Sequence, residues 1–98
     1  MLYYHATSED NALKIVHDGE IHTSIEGIVY LADSYENALK FTILRGFNPI
    51  IVFEIEVPDE SLIQEQFDHN PKFFKCKSWG YPENIDLSYV KNTYKYGG

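Results

Sequence analysis

Only two stretches of this 98-residue chain carry apolar residues at helical spacing. In SEDNALKIV, Ala12, Ile15 and Val16 fall on one face; in SYENALKFTILRG, Ala38, Phe41 and Ile43 or Leu44 do so. The other strongly patterned segments read as strands. They are the aromatic-rich start at residues 2–6, IVYLA at 28–32, and PIIVFEIEVP, where Ile51, Phe53, Ile55 and Val57 alternate with Val52, Glu54 and Glu56. Two helices are too few, and the strands too clustered, for a doubly wound parallel sheet. The pattern therefore predicts an α+β domain ordered β-α-β-β-α-β-loop-β-β.

Local signals set the expected boundaries. Thr7 or Ser8 can accept the free backbone N–H groups of the first helix, and Glu9 and Asp10 suit its positive end. Gly19 is a C-terminal stop, and residues 20–24 form a short strand or extended connector. Gly27 turns the chain into IVYLA, Asp33 or Ser34 caps the second helix, and Gly46 ends it. Glu54 and Glu56 read as solvated edge residues on the outer face of their strand. DESLI reads as a helical turn. Residues 58–80 read as a long loop holding a short strand around Phe73 to Lys77. Loops of that length are commonly functional or mobile. Phe73, Phe74, Trp79 and Tyr81 form an aromatic cluster that suits a lid, a partner surface or, first of all, core. ENIDLSYV and TYKY close the chain as two strands or one bent strand.

Composition removes several function classes. A net charge of −7 argues against non-specific binding to nucleic acid phosphates and leaves a protein partner or a small ligand. No apolar run approaches the ~20 residues of a membrane span, and no secretory leader pattern is visible. The single cysteine, Cys76, excludes an intrachain disulfide and fits a reducing cytoplasm. His5, His17, His22 and His69 lack metal-ligand spacing, so no metal is expected, and there is no glycine-rich phosphate loop.

Three residues could carry chemistry. His5 ends the first strand, Tyr30 centres an otherwise aliphatic strand, and Glu83 precedes the late strand in PENIDL. Taken singly each is ordinary: a strand-end histidine, a core tyrosine, a solvated acid. Together with their surroundings, YHATS (4–8), GIVYLADSYENALKF (27–41), IIVFEIEV (50–57) and PENIDLSYV (82–90), the sequence resembles the His-Tyr-Glu branch of the ADP-ribosyltransferase superfamily. The resemblance spans most of the chain outside 58–81, in a chain short for that fold.

It implies one domain over residues 1–98, built of split antiparallel sheets with two short helices and an NAD cleft between the sheets. Under the resemblance, NAD is the substrate, no metal takes part, and the nicotinamide–ribose bond breaks. His5 would hydrogen-bond the adenosine ribose, and Thr7 or Ser8 would contact the nicotinamide ribose or amide. Tyr30 would stack on nicotinamide, with Tyr35 near it lining the pocket. Glu83 would bind the ribose 2′-hydroxyl and stabilise the oxocarbenium-like transition state. Glu54, Glu56 and Asp86 compete for that acidic role. Arg45 reads as a cation at a helix C-terminus rather than a pyrophosphate clamp.

The function expected is mono-ADP-ribosyl transfer to a macromolecular target, in a small acidic protein similar to phage or mobile-element accessory proteins. One alternative is a domain of the same fold without turnover, acting as an acidic protein inhibitor. A lower alternative is RNA 2′-phosphotransfer, which needs several arginines where this chain has one.

Overall fold

The computed structural model describes residues 1–66 and 78–98. Strand β1 (Leu2–Ser8) runs into helix α1 (Glu9–Asp18) without a linker. Ser8 makes this possible: its backbone is extended, and its hydroxyl accepts the Asn11 N–H as the helix cap. Gly19, at φ +80°, supplies the left-handed residue that closes α1 and returns its N–H to Ile15. The chain continues through β2 (Glu20–Ile21) and β3 (Val29–Ala32) to α2 (Tyr35–Leu44), capped by Ser34. Next come β4 (Ile50–Glu56), a 3-10 turn at Glu60–Leu62, and β5 (Gln64–Gln66). β6 (Ser78–Tyr81), β7 (Ile85–Asp86), a second 3-10 turn (Leu87–Tyr89) and β8 (Val90–Tyr96) complete the order.

The fold is α+β. Six strands form one sheet in the order β5-β6-β3-β1-β4-β8, and β2 pairs with β7 in a second small sheet. Every pairing among the described residues is antiparallel. The large sheet is covered on both faces. On one, Ala12 and Ile15 of α1 pack with Tyr3, Leu31, Phe53, Ile55, Tyr81 and the small-sheet residues Ile21 and Ile85. On the other, Ala38 and Leu39 of α2 pack with Ala32, Ile50 and Val52. Strand alternation puts odd residues of β1 and β4 toward α1 and even ones toward α2.

Three expectations need correction. Glu54 is not a solvated edge residue: β4 lies between β1 and β8, and Glu54 is only 9% exposed. The stripe of α1 is narrower than expected, since Val16 is exposed, and that of α2 is shifted, since Ile43 and Leu44 are exposed while Leu39 and Thr42 are buried. Residues 64–66 and 78–81 pair as strands rather than belonging to a loop. The closing segment takes the two-strand form of the two expected, and the strands join different sheets because the 3-10 turn after Asp86 redirects the chain from β2 to β4. Tyr81 is core and Trp79 packs against it. The strand expected around Phe73 to Lys77, with Phe73, Phe74, Cys76 and His69, lies outside the described residues. Among the described residues, no helix is long and apolar enough to cross a membrane.

Candidate functional site

The six-stranded sheet is held together unevenly. β1 is matched to β4 over seven residues, from Leu2 opposite Glu56 to Ser8 opposite Ile50. Against β3 it keeps a single aligned pair, Tyr4 opposite Ala32. Beyond that pair the strands part, and a cleft of about 790 Å³ opens between them. Its walls come from both cores: Ile15 and Ile21 on the α1 side, Ala38 and Phe41 on the α2 side. That volume falls in the ~300–1,000 Å³ range of small-molecule and cofactor sites.

His5 sits where the strands separate. Its Nδ1 lies 2.8 Å from the Tyr30 carbonyl oxygen, bridging the gap with a side chain where a ladder bond would otherwise run. A carbonyl can only accept, so Nδ1 carries the hydrogen. Burial pushes the imidazole pKa down, the Tyr30 bond opposes this, and the Arg45 charge adds to the lowering. The ring is therefore neutral at pH 7, and Nε2 keeps its lone pair as an acceptor.

The hydroxyls after His5 divide their work. Ser8 is the helix cap and does not line the cleft. Thr7 is buried, lines the cleft, and its oxygen accepts the Asn11 side-chain N–H at 2.8 Å. Its own O–H remains available as a donor. Tyr30 lines the same cleft.

The far wall is the segment after β2, where Thr23, Ser24 and Glu26 line the cleft beside His22. Asn84 clamps this segment, accepting the Thr23 N–H at 2.8 Å and donating to Glu20 at 3.1 Å. Bonds from Ser24 N–H to the Ile28 carbonyl and from Gly27 N–H to the Ser24 carbonyl close the turn, with Gly27 at φ +81°. Among the described residues Glu26 is the one acid in the lining, and its carboxylate accepts from the Ser24 hydroxyl at 2.7 Å.

The fold thus brings His5, Thr7 and Tyr30 together and leaves Ser8, Tyr35 and Glu83 outside. Tyr35 faces a different pocket with Tyr4, Glu54 and Tyr94. Glu83 is exposed in the turn between β6 and β7. Of the competing acids, Glu54 lines that second pocket, and Glu56 and Asp86 are exposed, Asp86 capping the second 3-10 turn. The cleft adds residues the sequence reading did not assign to it: Arg45 at the α2 C-terminus, Asn11, Phe47 and Glu26. Arg45 carried a usable signal as the sole arginine of an acidic chain. Glu26 carried none, because a Ser-Ile-Glu-Gly turn is ordinary.

No family model matches the sequence, and no curated protein matches it. Two solved structures share the fold. Protein CC0527 from Caulobacter crescentus superposes with a TM-score of 0.64 at 16% identity, covering 97% of this chain and 85% of that one. A double mutant of CC0527 gives a TM-score of 0.69 at 14% identity over the same shares.

Proposed function

We propose that this chain binds an NAD-class dinucleotide in the cleft between β1 and β3, as a small domain of the ADP-ribosyltransferase type. One observation carries the reading. His5, neutral and fixed through Nδ1, lines an open cleft together with Thr7, Tyr30 and Arg45. An acceptor for a ribose hydroxyl, an aromatic ring for a flat cationic heterocycle and one guanidinium for pyrophosphate are the groups such a ligand requires.

Within this reading the reaction is mono-ADP-ribosyl transfer to a protein. The ribose C1′–N bond breaks, its electron pair leaves with nicotinamide, and a target nucleophile adds at C1′ and gives up its proton. A carboxylate beside the ribose stabilises the cation as it forms. Glu26 is the carboxylate of the cleft lining, and Glu83 lies outside it. The position of Glu83 favours a second reading, a dinucleotide-binding module without turnover that acts through its acidic surface.

Calorimetry with NAD, followed by nicotinamide release and ADP-ribose labelling in a lysate, tests both. Binding with labelling that disappears in Glu26→Gln or Glu83→Gln supports the transferase and identifies its acid. Binding without nicotinamide release supports the module. Absence of NAD binding at millimolar concentration overturns both readings.

A further inference from the structure

A second pocket of about 300 Å³ lies on the α2 side of the sheet, lined by Tyr4, Tyr35, Glu54 and Tyr94. The pairing of three strands builds it. Glu54 of β4 stands opposite Tyr4 of β1 and opposite Asn92 of β8, with Tyr94 two residues further along β8. A one-residue slip in the β4–β8 register follows, so Ile55 meets Val90 and Lys91 is skipped. The Tyr35 and Tyr94 rings meet edge to face at 5.6 Å and 78°, making a corner of aromatic surface.

Glu54 accepts from Asn92 at 2.8 Å, from the Tyr4 hydroxyl at 3.0 Å and from the Tyr94 hydroxyl at 3.4 Å. These bonds, Asn92 foremost, hold its pKa below the ordinary carboxylate value. Burial first, and the neighbouring carboxylate next, push the Tyr4 and Tyr94 phenols up. The cluster thus carries one full negative charge ringed by neutral phenols. All three donors are neutral, and no lysine or arginine among the described residues pairs with Glu54.

We infer that this pocket binds a small alkylammonium cation, seated against the Glu54 carboxylate and enclosed by the rings of Tyr4, Tyr35 and Tyr94. Three aromatic rings plus one carboxylate supply both attractions that such a cation uses: the ring quadrupoles and a fixed opposite charge. A hard divalent metal needs about six oxygen ligands, far more than one carboxylate already engaged by three donors can give. The volume suits a methylated or primary amine rather than a nucleotide.

The test is a two-dimensional NMR titration of the full chain with tetramethylammonium chloride and with n-butylammonium chloride. Sodium chloride at matched ionic strength and the neutral isostere tert-butanol are the controls. Saturable shifts centred on residues 4, 35, 54 and 94 are expected from the ammonium salts alone. Glu54→Gln, which keeps the shape and removes the charge, should weaken binding at least tenfold. Tyr94→Leu, at an exposed strand position, should weaken it several-fold and serves if the glutamine variant does not fold. Equal shifts from tert-butanol or sodium chloride, or a folded Glu54→Gln with unchanged affinity, overturn the proposal. A peptide bearing trimethyllysine, titrated in parallel, identifies the source of the cation. Tighter binding than tetramethylammonium assigns it to a protein side chain, and equal or weaker binding assigns it to a free amine.

Discussion

Tyr4 and His5 are neighbours in β1, yet they serve sites with opposite electrostatic character. His5 is a neutral base, kept so by burial, with one nitrogen engaged by Tyr30 and its side chain lining the cleft. Tyr4 donates to Glu54, an ionised acid whose charge rests wholly on neutral donors. The cleft offers unused hydrogen-bonding capacity; the tyrosine pocket has its hydrogen bonds made and its charge unbalanced. The first arrangement suits a polyhydroxylated ligand and the second a cation. The contrast shows how one strand, alternating its side chains, equips the two faces of a sheet for different chemistry without any loop insertion.

The largest effect that breaks the contrast comes from the strand both sites share. Phe53 stands opposite His5 in β4 and is 2% exposed. Phe53→Ala should cost about 3–5 kcal/mol in chemical denaturation and weaken ligand binding at both sites, because β4 supports each. A change confined to the cleft would show that the two sites are mechanically independent.

His5→Phe sharpens the contrast. It should lower NAD affinity at least tenfold by calorimetry, ~1.4 kcal/mol, and leave the tyrosine pocket unchanged. Acid titration of stability separates the same two groups. Well above pH 6.5 His5 is neutral in both the folded and the unfolded chain. Below it the unfolded chain gains a proton that the folded chain resists, so stability falls as pH drops through that region. Glu54, held below its ordinary 4.5, contributes stability that is complete above that value and lost as pH falls further. Denaturant midpoints measured across pH should show the first decline abolished in His5→Phe and the second reduced in Glu54→Gln.

The paired hydroxyls give a smaller effect. Ser8→Ala should cost about 1 kcal/mol of stability with NAD affinity unchanged, since Ser8 only caps α1. Thr7→Val should lower NAD affinity and also cost about 0.5–1.5 kcal/mol of stability, through loss of the Asn11 bond. Of similar size in stability, Asn84→Ala should cost about 0.5–1.5 kcal/mol, with hydrogen exchange accelerating over residues 22–26 and the tyrosine pocket unaffected.

Much of this molecule is legible locally. Ser8 and Ser34 announce their helices, Gly19 ends one, and the β4 alternation is unmistakable. His5, Thr7 and Tyr30 stand in one cleft because they lie on β1 and β3, which are neighbours in the large sheet. What sequence patterning misses is long-range pairing. Glu54 reads as solvated because nothing in IIVFEIEV reveals that β8, forty residues later, will cover it with Asn92 and Tyr94. Glu83 reads as an active-site acid because its distance from the cleft depends on where β6 and β7 diverge, and a Pro-Glu-Asn step carries no such information. Arg45 reads as a dipole cation because the cleft beside it exists only once β1 and β3 separate.

The lone Tyr4–Ala32 match divides the large sheet into two three-stranded leaves, β5-β6-β3 and β1-β4-β8, with the His5–Tyr30 bond as a second link between them. Both apolar cores span the two leaves, Leu31 with Phe53 on one face and Ala32 with Val52 on the other. Packing rather than a strand ladder therefore sets the width of the gap, as a binding rather than stitching holds two pages at a fixed opening.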